Sequence, residues 1–156
     1  MRWLDDDEQR AWRSLQFMQM RLDGELARQL ASEAGLSYPD YLVLVALTDR
    51  PDGRLRPFEL SEILGWEKSR VSHQVTRMVD RGLVEKEACD SDRRGAFVLV
   101  TPLGRRELEA AAPGHVDMVR RLFIDVLTPE QLRVIGEAAD AVLAAIDETR
   151  ITPDPV

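Results

Sequence analysis

One cysteine, Cys89, and two histidines, His73 and His115, are all that the chain offers as soft or imidazole ligands. A lone cysteine cannot close an intramolecular disulfide and fits no multi-cysteine zinc site, which points to a reduced, cytoplasmic setting. The histidines are far apart and have no His or Cys neighbour at ligand spacing, so no metal site is expected. No apolar run approaches the roughly 18 residues of a membrane span, and the acidic start (Asp5, Asp6, Asp7, Glu8) lacks the basic-then-apolar pattern of a secretory signal. Glycine-rich phosphate loops, nucleophile elbows and HExxH pairs are also missing, so neither an enzymatic activity nor a cofactor is expected. There is no internal repeat and no low-complexity segment.

What remains is 156 residues, 44% hydrophobic and 31% charged, the composition of one folded domain or one domain with an extension. The net charge of −7 argues against a protein that coats nucleic acid by bulk charge. That total conceals an asymmetry. Residues 1–40 carry a net −3, residues 41–65 a net −1 and residues 107–156 a net −6, whereas residues 66–106 carry a net +3. The basic excess is Lys68, Arg70, Arg77, Arg81, Lys86, Arg93, Arg94, Arg105 and Arg106 set against six acids.

Trp12, Leu15, Met18, Leu22, Leu26 and Leu30 recur every three or four residues, which predicts an amphipathic helix over residues 5–33 that stops at Gly35. At 1.5 Å per residue it would be ~40 Å long, more than one small core covers, so part of its stripe is expected to pack on another chain. Ser37, Pro39 and Asp40 open a second, almost wholly apolar helix that belongs in the interior. A minimal strand over residues 54–56 precedes a short helix from Pro57 with Leu60, Ile63 and Leu64 inward. A turn at Gly65 leads into a helix from Lys68 to Arg81, where Val71, Val75, Met78 and Val79 share a face. Two strands, residues 83–87 and 96–100, flank a charged turn, residues 90–95. Thr101 and Pro102 start another helix, which Pro113 and Gly114 should kink or interrupt. Thr128 to Gln131 reads as a capping box before a last helix with Leu132, Ile135, Ala139, Val142 and Ile146 spaced like a two-helix seam. The fold class is therefore mainly α with a small β-hairpin wing, a winged helix-turn-helix plus long dimerisation helices. The expected divisions are a dimerisation helix over residues 1–35, a winged core over 36–101, C-terminal dimerisation helices over 102–148 and a flexible tail over 149–156.

In a helix-turn-helix the second helix enters a major groove, so its outward residues must meet base edges or phosphates. Lys68, Ser69, Arg70, His73, Gln74 and Arg77 are the candidates: arginines for guanine or phosphate, Gln74 for adenine or the groove wall, Ser69 near the helix start for a phosphate. Such a polar face is also what any surface helix has, and the hairpin tip is what favours DNA. Arg93 and Arg94 have the reach to enter a flanking minor groove, with Asp92 as the ion-pair partner that orients one of them.

The run from Asp92 through Arg94 to Thr101 resembles the signature of the MarR family of bacterial transcription regulators: an acid, any residue, an arginine, five residues, a leucine and a threonine. Val100 stands where leucine is usual. The order of elements agrees along nearly the whole chain. The resemblance implies a homodimer held by the first and last two helices, bound to pseudo-palindromic operator DNA, commonly as a repressor released by a small ligand. It carries over Arg93 and Arg94 as wing arginines and Ser69 to Arg77 as the groove-facing helix. Because such regulators often take aromatic acids or phenols in a crevice beside the dimerisation helices, Trp12, Arg13, Phe17, Tyr38 and Tyr41 are candidate effector contacts, against the plainer reading of core and interface packing. Peroxide-sensing members place their cysteine in the first long helix, where this chain has none. Cys89 stands instead among Glu87, Asp90 and Asp92, acids that blunt a thiol. Two alternatives stay open: a winged-helix protein-interaction module that no longer binds DNA, and a redox-sensing regulator acting through Cys89.

Overall fold

The computed structural model describes residues 1–88 and 96–151. Helix α1 (Asp6–Glu33) begins at an N-cap, Asp5, whose carboxylate accepts from the Glu8 amide while Glu8 reaches back to the Asp5 N–H. Helix α2 (Tyr38–Thr48) starts on the same reciprocal arrangement between Ser37 and Asp40. Strand β1 (Arg54–Leu55), α3 (Pro57–Leu64), α4 (Lys68–Asp80), β2 (Val84–Ala88) and β3 (Ala96–Val100) complete the winged helix-turn-helix. The strands form an antiparallel sheet in the order β1-β3-β2, with Leu55 opposite Val98 and Val84 opposite Val100.

Helix α2 sits at the centre. Val43, Leu44, Ala46 and Leu47 are all buried, and the helix touches α1, α3, α4, β1 and β3. Around it the core gathers Leu30 from α1, Leu60 from α3, Val71, Val75 and Met78 from α4, and Val84 and Val98 from the sheet. Between α3 and α4 the chain turns through Gly65 at φ 62°, a left-handed conformation that a side chain would oppose. Phe97, on the outer face of β3, lies under the guanidinium groups of Arg54 and Arg56 at 4.7 and 5.0 Å from the ring centre. Arg54 also pairs with Asp52 and with Glu87 on β2, so charge and ring contacts tie all three strands together on the outer face of the sheet.

Helix α5 (Pro102–Val119) starts at Thr101, whose hydroxyl accepts from the Gly104 amide and donates to the Gly82 carbonyl. A single π-helical turn (Arg120–Ile124) follows. Helix α6 (Pro129–Ile151) opens on the capping box between Thr128 and Gln131. The chain divides into two compact units, residues 1–118 and residues 119–156.

Four expectations are corrected. Ile63 does not face inward but is half exposed, because Leu60 and the partly buried Leu64 already fill the inner side of a two-turn helix. Val79 likewise stands out of the core; on a 3.6-residue repeat it falls roughly 100° from Met78. Pro113 does not interrupt α5, which runs through it. Ala111 is seated in the core on one side, and Gly114 lies close against Gln29 and Glu33 of α1 on the other, so packing overrides the lost backbone hydrogen bond. The proposed tail from residue 149 is helical as far as Ile151. Pro153, Asp154 and Pro155 lie outside the described residues.

Candidate nucleic-acid interface

Helix α4 buries Val71, Val75 and Met78 and turns Lys68, Ser69, Arg70, His73, Thr76 and Arg77 to solvent. Its first turn holds no acid and begins with Lys68 and Ser69, while the N-cap residue is Glu67, whose side chain makes no capping hydrogen bond. Arg70 lies over Trp66, its guanidinium carbon 4.1 Å from the ring centre. Trp66 is itself packed on the core, so the stacking restrains a long side chain that would otherwise sample many rotamers. Ser61 donates to the Trp66 carbonyl at 2.5 Å, which secures the turn between α3 and α4.

Gln74 is a correction. It is 2% exposed and cannot reach a base edge from where it lies. Its Nε2 donates to Asp40 Oδ1 at 2.6 Å, and its Oε1 accepts from the Arg77 guanidinium. The reason is angular: position 74 falls roughly 40° from Met78 on the helical wheel, at the rim of the buried arc. Asp40, also buried, accepts from Arg81 Nη1 at 2.6 Å and from the Ser37 N–H at 2.9 Å through Oδ2, while Arg81 Nη2 reaches the Gly35 carbonyl at 3.0 Å. Every oxygen of this buried carboxylate is thus satisfied, as a charge out of water must be. Trp66, Asp40 and Arg81 were not among the sequence candidates. A position-by-position helical wheel would have found Gln74 at the rim, but nothing local in the sequence announces its contact with Asp40. The wing residues Asp92, Arg93 and Arg94, and Cys89 beside them, lie outside the described residues.

The proposed effector contacts separate into two places. Trp12, Arg13 and Phe17 are exposed on the first half of α1, where Arg13 donates to Gln9. Tyr38 and Tyr41 are half-buried at the start of α2. Burial pushes the Tyr38 phenol above its usual range, and the Asp23 carboxylate beside it adds to the rise; burial alone raises Tyr41. Asp23 is about 16 Å along α1 from Trp12, so the protomer does not bring Trp12 to the tyrosines. Beside Tyr41 stands His115 of α5, the rings 4.3 Å apart and tilted by 37°. Gln29 donates to Glu33 at 2.7 Å nearby, and Gln29 Oε1 and His115 Nδ1 are buried without a hydrogen-bond partner among the described residues. No group of three or more metal-ligating side chains occurs among those residues, and none of their helices is long and apolar enough to cross a membrane.

These elements define a winged helix-turn-helix protein carrying long flanking helices. A family model described as the MarR family matches residues 34–95. The transcriptional regulator HosA of Escherichia coli is 33% identical over 96 residues, 62% of this chain and 69% of HosA. Among solved structures, AbsC, a MarR family transcriptional regulator from Streptomyces coelicolor, is 39% identical with a TM-score of 0.87, covering 95% of this chain and 99% of AbsC. Sco3205 from the same organism, a MarR family transcriptional regulator determined in complex with DNA, is 39% identical with a TM-score of 0.86, covering 97% and 96% of the two chains. The chain belongs to the MarR family of transcriptional regulators.

Proposed function

We propose that the protein is a homodimeric, ligand-responsive repressor that places α4 of each protomer in a major groove of pseudo-palindromic operator DNA and the hairpin tip in the flanking minor groove. The observation that carries this reading is the outward row of α4, Lys68, Ser69, Arg70, His73 and Arg77, presented on a helix whose other side is locked into the core. Two-fold symmetry then requires half-sites about one helical turn apart. The relative solved with DNA at 39% identity supports DNA as the partner. Arg70, stacked on Trp66, and Arg77, held by Gln74, are the groove-facing cations; Arg93 and Arg94 are the minor-groove pair, with Asp92 orienting one of them.

The effector is a small aromatic acid or phenol bound beside Tyr38 and Tyr41, where the free polar atoms of Gln29 and His115 offer hydrogen bonds to a ligand. Trp12 and Arg13, about 15–16 Å along α1 from Asp23, are too far to join this site within one protomer.

The test is selection of bound DNA from a random pool, followed by titration of the selected site at several salt concentrations. Arg70→Ala and Arg94→Ala should each weaken binding, by about 1–3 kcal/mol for a base contact, and a lost phosphate contact should also lower the salt slope by about one. If no sequence is enriched, or if both variants bind as wild type at every salt concentration, the DNA-binding assignment is wrong and the protein-interaction alternative takes its place.

A further inference from the structure

We propose that Gln74 is a positioning residue for DNA recognition, the central link of a directed hydrogen-bond chain that runs from the α1–α2 turn through Asp40 to Arg77. The chain has a fixed sense. Asp40 can only accept, so Gln74 must turn its Nε2 inward, which leaves Oε1 outward as an acceptor for Arg77. A flipped amide would set its oxygen against a buried carboxylate and its NH2 against a guanidinium. Arg77 is therefore not a free surface cation. It is an arginine whose direction is set from the interior, through the one polar side chain in the buried arc of α4. The same carboxylate takes Arg81, whose other nitrogen holds the Gly35 carbonyl where α1 gives way to α2. A shift of that turn would reach Arg77 through four hydrogen bonds, with no contact between the turn and DNA.

The chemistry also explains why a polar residue occupies a place where leucine or methionine would complete the apolar face. A purely apolar residue would leave Asp40 without its α4 donor and Arg77 without an acceptor. This inference rests on the reading that α4 lies in the groove, and the experiment keeps the two apart. Gln74→Met, Arg77→Ala, Arg70→Ala and the Gln74→Met/Arg77→Ala double variant are titrated as full chains against the site selected by the wild type. Each of Gln74→Met and Arg77→Ala should weaken binding roughly ten-fold, and Gln74→Met should cost less than about two-fold more once Arg77 is gone. Multiplying losses, or a Gln74→Met variant that binds as wild type, would overturn the proposal. So would wild-type binding by Arg77→Ala while Arg70→Ala is weakened; wild-type binding by both arginine variants would remove α4 from the groove as well. Should Gln74→Met not fold, the side-chain amide resonance of Gln74 serves instead: it should move in Arg77→Ala without DNA, and an unmoved signal would overturn the proposal.

Discussion

His115 lies against Tyr41 with Nδ1 buried, and the loss of hydration there holds its imidazole below the ordinary value of 6.5. The unfolded chain therefore binds a proton more readily than the folded one between the lowered value and about 6.5, and stability must fall as pH drops through that window. Above 6.5 both states are neutral at this residue and the effect vanishes. His115→Phe keeps a ring on Tyr41 and removes the titration. Thermal melts at pH 7.5 and 5.5 should show a smaller acid-induced loss of melting temperature in the variant than in the wild type; an equal loss would mean that other groups carry the acid sensitivity. The same scale holds the clearest failure of sequence reasoning. Gln74 reads as a base-contacting residue because glutamine often serves that purpose, yet its direction depends on Asp40, 34 positions away. That Arg70 and Arg77 stand on the outer side of α4 was legible from the helical period, but what each rests on, Trp66 and Gln74, was not.

Among the elements, α5 is fastened to the winged core by close backbone approach. Gly104, in its first turn, lies so near the Leu83 carbonyl oxygen and the Leu44 side chain that an added Cβ would collide with backbone. Gly104→Ala should therefore destabilise the protein by about 1–3 kcal/mol, the range for overpacking a tight site. That corresponds to roughly 3–10 °C in melting temperature for a chain of this size; a shift under about 1 °C would show that the helix can slide away at no cost. The starts of the helices were readable because caps are local chemistry: Ser37 with Asp40, Thr128 with Gln131, and Pro57 at a first turn. The continuation of α5 through Pro113 was not, since a proline's local penalty says nothing of the contacts that hold the helix on either side.

For the molecule as a whole, the apolar stripe of α1 is buried only in its second half, at Leu26 and Leu30. Trp12, Leu15 and Met18 remain 40–56% exposed, and Val142 and Ile146 of α6 are 59% and 41% exposed. Apolar surface of this extent on long helices is what a second copy would cover. Light scattering should give about twice the 17.7 kDa of one chain, and Val142→Asp with Ile146→Asp should shift the mass toward the monomer; a wild-type monomer would reject the homodimer. The net charge of −7 belongs to the same scale. Its acids concentrate in the terminal segments, and beyond a Debye length of ~8–10 Å they would oppose DNA binding only weakly while discouraging non-specific contact.

Sequence alone determined the order of the elements, the caps at Ser37, Thr101 and Thr128, most of the apolar periods and the row of cations on one helix, because each arises within a few residues of chain. Only the tertiary structure decided which polar residues face inward. It buried Gln74 against Asp40, laid Arg70 on Trp66 and Arg54 and Arg56 on Phe97, and set His115 beside Tyr41. The physical reason is that a polar side chain is placed by its partner as well as by its period, and these partners arrive from other elements of the fold.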